Sequence, residues 1–471
     1  MFERVNDDTF HAARHRTRGR GLAITCVLTL VATALLHLAG TTPATALSGD
    51  VVAHDPSVMK VGNCYYSFAT DAPTISVRRT CAGNAATGWT RIANVWGSTP
   101  RWIIDRLGEN PTHIWAPDIT FFNNRYYLYY AASIPGKGYY AVMGLLTSNS
   151  IEGPWTDQGM ITDRDYPIDP AVEWGQDGRL YVAWGSWYGT YMRVLDPATG
   201  KLSTSDTRTW RVANGIEGQT FMYRDGYYYL FGSEGSCCIG TNSTYYTVVG
   251  RSTSITGPYL DRSGVPMTAP EGGTVVMRGA WPKVGAGGAD VYDDGAEKYL
   301  AYHYYNGNVN GRPELDIRHI SMVNGWPVLS APLDSRSNHL VNQNSNMCAD
   351  VWGSSTADGA AVNQYGCHSA ANQFWTVTRV GDNYRLVSAG SGKCLAIAGG
   401  STASGAAAVQ QTCNSSTAQL WTRTPTIGGY FTLANVNSRQ CLELSAFSTT
   451  AGTALTQYAC NGGANQQWLL V

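Results

Sequence analysis

Short apolar runs rich in tyrosine recur along the first two thirds of the chain, each bounded by glycine, asparagine or aspartate. Runs of this length and composition are typical of buried β-strands preceded by a turn. Five of them follow one another in the sequence: Tyr65–Phe68, Tyr126–Tyr129, Leu180–Trp184, Tyr227–Phe231 and Tyr299–His303. Self-similarity at intervals of about 45 to 70 residues predicts a radial repeat, and five units predict a five-bladed β-propeller.

An acidic residue precedes each of these runs, about ten residues ahead of it: Asp55, Asp118, Asp169, Glu217 and Asp290. The innermost strands of a propeller line one axial cavity. Acids at the same point of successive blades are therefore expected to converge there. Carboxylates that share a cleft repel one another, so their pKa values separate. Glycoside hydrolysis requires such an unequal pair, one acid that keeps its proton and one that stays ionised.

A second repeat occupies the chain from about residue 338 to Val471. Six cysteines form three pairs with the same spacing of nineteen residues, and a Gln-x-Trp follows each pair. Three units of about 46 residues, each with its own disulfide and a tryptophan for a shared core, predict a β-trefoil. The pairs are Cys348 and Cys367, Cys394 and Cys413, and Cys441 and Cys460. The expected fold is all-β, a propeller over 49–335 followed by a trefoil over 338–471.

The N-terminus has the features of a secretory signal peptide over 1–46. Arg14, Arg16, Arg18 and Arg20 precede an apolar stretch that runs from Leu22 to Leu38, and Ala44-Thr45-Ala46 is a small-residue cleavage signature. Cleavage after Ala46 would leave ten cysteines, an even number that fits disulfides in an oxidising compartment. An uncleaved signal anchor is the alternative, because the apolar stretch approaches the length of a membrane span.

The composition of the chain limits the classes of partner that it is expected to bind. A net charge of -1 with 14% charged residues gives no electrostatic reason to expect nucleic acid or an anionic membrane. The aromatic residues are mostly polar-edged, with 28 Tyr and 15 Trp against 10 Phe. Such rings stack on sugars while hydrogen-bonding their hydroxyls, although they also fill propeller and trefoil cores.

The C-terminal repeats resemble the ricin B-type lectins, also called carbohydrate-binding module family 13. That resemblance implies a sugar site in a repeat that has an acid after its first cysteine, an aromatic before its second, and polar residues nearby. The second repeat has Ala396 and Gln411 at the two main positions, so it is not expected to bind. The first repeat has Asp350, Asn363, Tyr365 and Asn372, and the third has Glu443, Tyr458 and Asn465. The alternative is that the repeats only hold the fold.

The propeller segment resembles glycoside hydrolase family 43, and most closely its arabinanases. Several motifs match in order, among them His54–Ser57, His113–Ile119, Ile168–Pro170, Ile216–Gly218 and Cys237–Gly240. The resemblance implies an inverting hydrolase of arabinan, in which Asp55 is the general base, Glu217 the general acid and Asp169 the acid that tunes and orients Glu217. An inverting enzyme holds its acid and base about 6.5 to 9.5 Å apart, which leaves room for water.

Further residues of these motifs are candidates for substrate binding, namely His54, Trp115, Asp118, Ser186 and Trp187. Asp118 either binds substrate or caps the turn at Pro117. Trp115 and Trp187 either stack on a sugar or belong to the propeller core.

One departure from the family concerns a metal ion. Many arabinanases have an axial histidine in the last blade that helps to hold a cation, and Gly288 takes that position here. No cofactor is expected to be required for the chemistry. A structural Ca²⁺ held partly by Asp290 remains the alternative, and His303 is expected to be a packed or substrate-facing residue.

The remaining cysteines are expected to pair in part. Cys64 and Cys81 are expected to join strands of the first blade. Cys237 and Cys238 either form a disulfide between neighbours, pair elsewhere or remain thiols.

The expected function is therefore a secreted, extracellular and monomeric hydrolase of arabinan or other arabinose-containing plant-wall polymers, held on them by its lectin-like module. It has no nucleic-acid partner, and no membrane partner after signal cleavage. The alternatives are an exo-acting or debranching α-L-arabinofuranosidase, a β-xylosidase, or an inactive carbohydrate-binding protein. Three intact acids argue against the last.

Overall fold

The computed structural model describes residues 47–136, 140–270, 272–295, 297–329, 338–368, 370–426 and 429–470. The predicted signal peptide, 1–46, and its cleavage after Ala46 lie outside the described residues. Strands and turns make up most of the described chain, with a short α-helix, α1 (Arg101–Leu107). No helix within these ranges is long and apolar enough to cross a membrane.

Five antiparallel sheets follow one another along the chain and form the five blades of a β-propeller. The first three blades comprise β1 (Ser57–Val61), β2 (Cys64–Ala69), β3 (Ser76–Thr80) and β4 (Thr90–Asn94); β5 (Trp115–Phe122), β6 (Arg125–Ser133), β7 (Ala141–Ser148) and β8 (Thr156–Thr162); and β9 (Ala171–Trp174), β10 (Leu180–Ser186), β11 (Gly189–Asp196), β12 (Lys201–Leu202) and β13 (Trp210–Ala213).

The last two blades comprise β14 (Glu217–Arg224), β15 (Tyr227–Glu234), β16 (Tyr246–Ser252) and β17 (Thr274–Arg278); and β18 (Lys283–Asp294), β19 (Glu297–Asn306), β20 (Arg312–Val323) and β21 (Trp326–Leu329). The segment before the first blade closes the ring, because Leu315 N–H donates to the Val51 carbonyl at 2.8 Å and Val52 pairs with Glu314. The predicted five-bladed propeller is confirmed.

The tyrosine-rich runs are the second strands of their blades, and neighbouring blades cover them on both faces. Tyr129 in β6 and Trp184 in β10, for example, belong to one cluster of buried residues, together with Leu145 and Leu180. Burial on both faces explains why these runs are continuous rather than alternating in polarity.

A kink recurs in the innermost strand of every blade or just before it. One residue there has a left-handed backbone: Asp55 (φ 45°), Ala116 (φ 41°), Asp169 (φ 52°), Gly218 (φ 57°) and Gly288 (φ 55°). In the second, fourth and fifth blades the register of the sheet also shifts at this point, which is the mark of a β-bulge. We call these five residues the kink ring; all five line a small cavity on the propeller axis.

The C-terminal region is a β-trefoil, as predicted. Six strands pair in a closed cycle: β22 (Asn338–Asn342), β25 (Phe374–Val380), β26 (Asn383–Ser388), β29 (Trp421–Pro425), β30 (Phe431–Asn435) and β33 (Trp468–Leu470). Three hairpins complete the repeats: β23 (Cys348–Val351) with β24 (Val362–Tyr365), β27 (Cys394–Ile397) with β28 (Ala408–Gln411), and β31 (Cys441–Leu444) with β32 (Leu455–Tyr458).

The tryptophan of each Gln-x-Trp lies in the common core of the trefoil. Trp375, Trp421 and Trp468 are fully buried in one cluster. Each indole N–H donates to a backbone carbonyl of its own repeat at 3.0 to 3.1 Å. All three predicted disulfides of the trefoil are present, as is Cys64–Cys81 in the first blade.

Candidate active site

A cleft of about 700 Å³ opens at one end of the propeller axis, and Asp55, Asp169 and Glu217 all line it. The three acids belong to the first, third and fourth blades, and the innermost strands bring them together. The cleft also contains His54 and Trp115, two of the residues predicted to bind substrate.

Asp55 is held by its neighbours in an ionised state. Its Oδ2 lies 2.8 Å from His54 Nδ1 and accepts a hydrogen bond from the Thr70 hydroxyl at 2.9 Å. Its backbone N–H donates to His303 Nδ1 at 3.1 Å. Burial opposes ionisation, but the charge and hydrogen bond of His54, with help from His303 and Thr70, lower the pKa of Asp55 to about 2. This carboxylate is therefore suited to act as a base.

Glu217 lies in an opposite environment. The side chain is 8% exposed, and burial raises the pKa of its carboxyl, with a further contribution from the charge of Asp55. The Ser186 hydroxyl donates to Oε2 at 2.8 Å and the Tyr245 hydroxyl to Oε1 at 2.9 Å, and these bonds act against that rise. Two buried donors fix the orientation of a carboxyl that tends to keep its proton.

Asp169 lies beside Glu217 and is fixed to the fourth blade. Its Oδ2 accepts the Gly218 N–H at 2.7 Å, and its backbone carbonyl accepts a hydrogen bond from the Gln219 side chain. Burial, followed by the charges of Glu217 and Asp55, raises the pKa of Asp169 well above its usual value. Two buried carboxyls in contact with the same turn cannot both ionise easily, so their protonation is linked.

The kink ring shows why the five acids that precede the apolar runs do not all reach the cleft. Asp55 and Asp169 are themselves kink residues, and Glu217 stands one position before the kink at Gly218. Asp118 and Asp290 stand two positions after their kinks, so they lie farther along the axis. Asp118 and Asp290 converge with Asp55 and Asp169 on the small axial cavity, as expected, but of these four acids only Asp55 and Asp169 also line the cleft.

Asp118 accepts a hydrogen bond from Val172 N–H at 3.0 Å, in the next blade. It does not bind the turn at Pro117 in the described structure, and it is outside the lining of the cleft. With Asp290 and Glu173 it lines a second cavity of about 390 Å³. Burial raises the pKa of Asp290 and of Glu173 to about 7 each.

Two other candidates are placed differently from the sequence-based expectation. Ser186 is 6% exposed and its hydroxyl is bonded to Glu217, so it acts on the acid. Trp187 is 37% exposed and does not line the cleft within the described residues.

Sequence reasoning passed over Tyr245 and Thr70, which bond to Glu217 and Asp55. Tyr245 follows the Cys237–Gly240 motif by five residues, but nothing in the sequence tied it to Glu217.

The family model for glycosyl hydrolases family 43 matches residues 49–327, more than half of the chain. The chain belongs to this family. A model for ricin-type β-trefoil lectin domains matches the C-terminal region in three overlapping stretches, 326–411, 378–458 and 417–471.

Known members of family 43 are similar over the propeller. The chain is 36% identical to the extracellular endo-α-(1→5)-L-arabinanase 1 of Bacillus subtilis over 284 residues, 58% of this chain and 86% of that protein. It is 31% identical to an extracellular exo-α-(1→5)-L-arabinofuranosidase of Cellvibrio japonicus, over 58% of this chain and 85% of that one. The structure of the α-L-arabinanase of Cellvibrio cellulosa complexed with arabinohexaose matches with a TM-score of 0.56 and 28% identity, over 59% of this chain and 96% of that one.

The cation site implied by the family-43 arabinanases does not fit the residues present here. Gly288 has no ligand atom, and a Cβ at this position would lie 2.5 Å from Asp55 Oδ1 and 2.8 Å from His303 Nδ1. In the described ranges, His54, Asp55 and His303 are the group whose ligand atoms lie within 4.8 Å of one another. Those atoms are engaged among themselves, since His303 Nδ1 accepts the Asp55 N–H and His54 Nδ1 contacts the carboxylate.

The carboxylate of Asp290, the alternative cation ligand, is engaged by hydrogen bonds from the protein. Its carboxylate accepts hydrogen bonds from Val58 N–H at 2.7 Å and from the hydroxyls of Ser57 at 3.2 Å and Thr220 at 3.3 Å. Among the residues that the structure describes, it does not belong to a group of ligand atoms. His303 is fully buried, packed against His54 with ring centroids 4.0 Å apart.

The trefoil carries two similar polar arrangements. In the first repeat, Asp350 Oδ2 accepts from Asn372 at 2.9 Å and from Gln373 at 2.8 Å, and Tyr365 is 44% exposed. Asn363 donates to the Gly452 carbonyl at 2.9 Å.

In the third repeat, Glu443 Oε2 accepts from Asn465 and Gln466 at 3.2 Å each, and Tyr458 is 48% exposed. In the second repeat, Ala396 is fully buried and supplies no carboxylate. The geometry matches the predicted difference between the repeats, while sugar binding itself stays a prediction.

Proposed function

We propose that the protein hydrolyses the α-1,5-L-arabinofuranosyl linkages of arabinan with inversion of configuration, using Asp55 as general base and Glu217 as general acid. The observation that carries the proposal is the contrast between these two carboxyls in one cleft. The pKa of Asp55 is lowered to about 2 and that of Glu217 is raised. The named activities of the similar proteins in Bacillus and Cellvibrio support arabinan as the substrate.

In this proposal, Asp55 accepts a proton from a water molecule while that water attacks the anomeric carbon. Glu217 gives its proton to the departing glycosidic oxygen. Ser186 and Tyr245 hold the Glu217 carboxyl in place for that transfer, and the protonation of Asp169 is linked to that of Glu217. The base stays ionised at any pH well above 2, and the raised pKa of Glu217 favours the protonated form that a general acid needs.

The trefoil is proposed to hold the enzyme on insoluble plant-wall polymers through its first and third repeats. We propose that the protein is secreted and acts as a monomer, without a cofactor in the chemistry. Similar arabinanases are named extracellular, which supports secretion.

Product chromatography tests the activity. Incubation with linear α-1,5-arabinan should release arabino-oligosaccharides or arabinose, whereas xylan and an aryl-xyloside should be poor substrates. Release of a mixture of oligosaccharides early in the reaction indicates endo action, and release of a single short product indicates exo action. Preference for the xylosides would contradict the assignment. Proton NMR of the first product formed reports whether the anomeric configuration is inverted.

A further inference from the structure

Cys237 and Cys238 form a disulfide between neighbouring residues in the loop that joins β15 to β16. Both residues line the same cleft as the three acids. Cys238 is exposed and Cys237 is half-buried. Neither the proposed acid–base chemistry nor the packing of the blades uses this disulfide.

The disulfide lies next to the residue that holds the base. Cys238 Sγ is 3.8 Å from His54 Nε2, and His54 Nδ1 contacts Asp55. Cys238 N–H donates to the Tyr305 hydroxyl at 2.7 Å, and that hydroxyl lies 2.8 Å from His54 Nε2. The position of the sulfur atoms relative to the base is therefore fixed by two hydrogen bonds.

Packing against the fifth blade holds the rest of the loop. The loop crosses the turn between β19 and β20 so closely that a Cβ at Gly311 would lie 2.8 Å from Thr241 N and 2.9 Å from Gly240 Cα. Such a close approach of two backbones requires glycine. The loop is thus a wall of the cleft with a defined position.

The chemistry of this wall differs from that of the groups around it. Disulfide sulfurs carry no proton and no charge, and they are soft, polarisable atoms that hydrogen-bond weakly. Specific ligand sites combine such apolar contact surface with a few placed polar groups. A sugar ring offers the matching surfaces, with C–H groups on one face and hydroxyls at its rim.

We propose that the Cys237–Cys238 disulfide is a substrate-contacting surface, which packs against the C–H face of the arabinofuranosyl unit beside the bond that Asp55 and Glu217 cleave. The inference rests on the proposed function. It assigns part of the free energy of substrate binding to the disulfide. The sulfur atoms position the ring, and the hydrogen-bonded pair of Tyr305 and His54 lies beside them.

The first test replaces both cysteines by serine and measures steady-state kinetics on α-1,5-linked arabino-oligosaccharides. Loss of one apolar contact of this size is expected to raise KM about tenfold. We expect kcat to change much less, because Asp55 and Glu217 are untouched. The control is the double variant C394S/C413S, which removes the disulfide of the second trefoil repeat and is expected to keep the wild-type KM.

A second measurement does not depend on whether the serine variant folds. In the inactive variant Glu217→Gln, the disulfides are partly reduced with a dithiol, and the thiols formed are alkylated with iodoacetamide with and without arabino-oligosaccharide. Mass spectrometry follows each cysteine peptide. Bound sugar is expected to slow alkylation of Cys237 and Cys238 and to leave Cys64 and Cys81 unaffected.

Different results overturn the proposed function and the substrate contact of the disulfide. Wild-type enzyme that releases no product from arabinan overturns the proposed function, and the inference with it. Wild-type activity together with an unchanged KM in the folded serine variant overturns the inference alone. If the serine variant does not fold, equal alkylation with and without sugar overturns it.

Discussion

The propeller and the trefoil are both built from repeats, but they distribute their polar side chains in opposite ways. In the propeller the blades contribute different residues to one site, and the cleft takes Asp55 from the first blade, Asp169 from the third and Glu217 from the fourth. In the trefoil each repeat holds its own set, as in the first repeat, where Asp350 and Asn372 are 22 residues apart and bonded to each other.

This difference determines how each region should respond to loss of a residue. The cleft is a single site, so removing one of its acids is expected to impair the whole site. The polar sets of the trefoil repeats are separate, so the second repeat can lack an acid while the first and third keep theirs. Chemistry requires unlike groups that converge, whereas retention on a polymer is served by like sites used in parallel.

The comparison is tested most severely by Glu217→Gln. Loss of the general acid is expected to lower kcat on arabinan by about 10²- to 10⁴-fold, since the amide cannot protonate the leaving oxygen. Retention on insoluble wall material should be unchanged because the trefoil is intact. Hydrolysis rates and a pull-down on the insoluble polymer measure the two effects. A variant that kept its activity would contradict the assignment of the acid.

The trefoil counterpart is the pair of substitutions Asp350→Ala and Tyr365→Ala. Together they remove the stacking ring and the buried acid of the first repeat, and retention on insoluble polymer is expected to weaken roughly tenfold. Hydrolysis of short soluble oligosaccharides should not change. Gln411→Ala in the second repeat is the matched control. Equal losses of retention in both repeats would show that the repeats do not differ in binding. Deletion of residues 338–471 gives the largest loss of retention that the trefoil can cause.

A smaller effect is expected for Asp290, which lies farther along the axis than the acids of the cleft. The pKa of Asp290 is about 7 in the folded protein against an ordinary 3.8, so the folded state holds a proton that the unfolded state releases. Its contribution to stability is complete below pH 4 and falls by about 1.4 kcal/mol per pH unit as the pH rises to 7. Relative to wild type, Asp290→Asn should therefore gain stability between pH 5 and pH 8.

Urea unfolding at both pH values measures this change in the free energy of unfolding. Asp294→Asn is the control, because burial raises the pKa of Asp294 but its bonds with Lys60 and Tyr65 lower it below the usual value overall. In the wild type, Asp294 is therefore ionised at both pH values. The stability difference caused by Asp294→Asn should not change between them. A stability difference for Asp290→Asn that stays constant with pH would contradict the placement of this carboxyl.

The smallest effect is expected from chelation. Because Gly288 supplies no ligand and the atoms of His54, Asp55 and His303 bond to one another, dialysis against EDTA should leave the rate on arabinan unchanged. The rate is measured before and after dialysis, and again after Ca²⁺ is added. Loss with EDTA and recovery with Ca²⁺ would show that other ligands have rebuilt the family's cation site.

The kink ring shows where prediction from the sequence reached its limit in the propeller. The acids could be found by their distance from the tyrosine-rich runs, but that distance varies by two or three residues from blade to blade. Asp118 and Asp290 look equivalent to Asp55 and Asp169 in the sequence. In the structure they stand two positions beyond the kink, and they line the axial cavity but not the cleft.

The trefoil could be predicted more completely because its contacts are short in sequence. The spacing of the cysteines and the Gln-x-Trp motifs specifies both the disulfides and the core tryptophans. In the propeller, by contrast, the partners of the acids come from distant segments. Tyr245 reaches Glu217 across 28 residues, and His303 receives the Asp55 N–H across 248.

The sequence by itself determined the two repeat architectures, the disulfides of the trefoil and the acids that are candidates for catalysis. Periodicity and spacing are local properties, and they persist whatever the rest of the chain does. Only the tertiary structure decided which acids share a cleft, which of them is ionised and which loop forms its wall. Those properties depend on burial and on charges brought within a few ångströms by closure of the propeller, so Asp55 and Glu217 become base and acid only when the blades surround them.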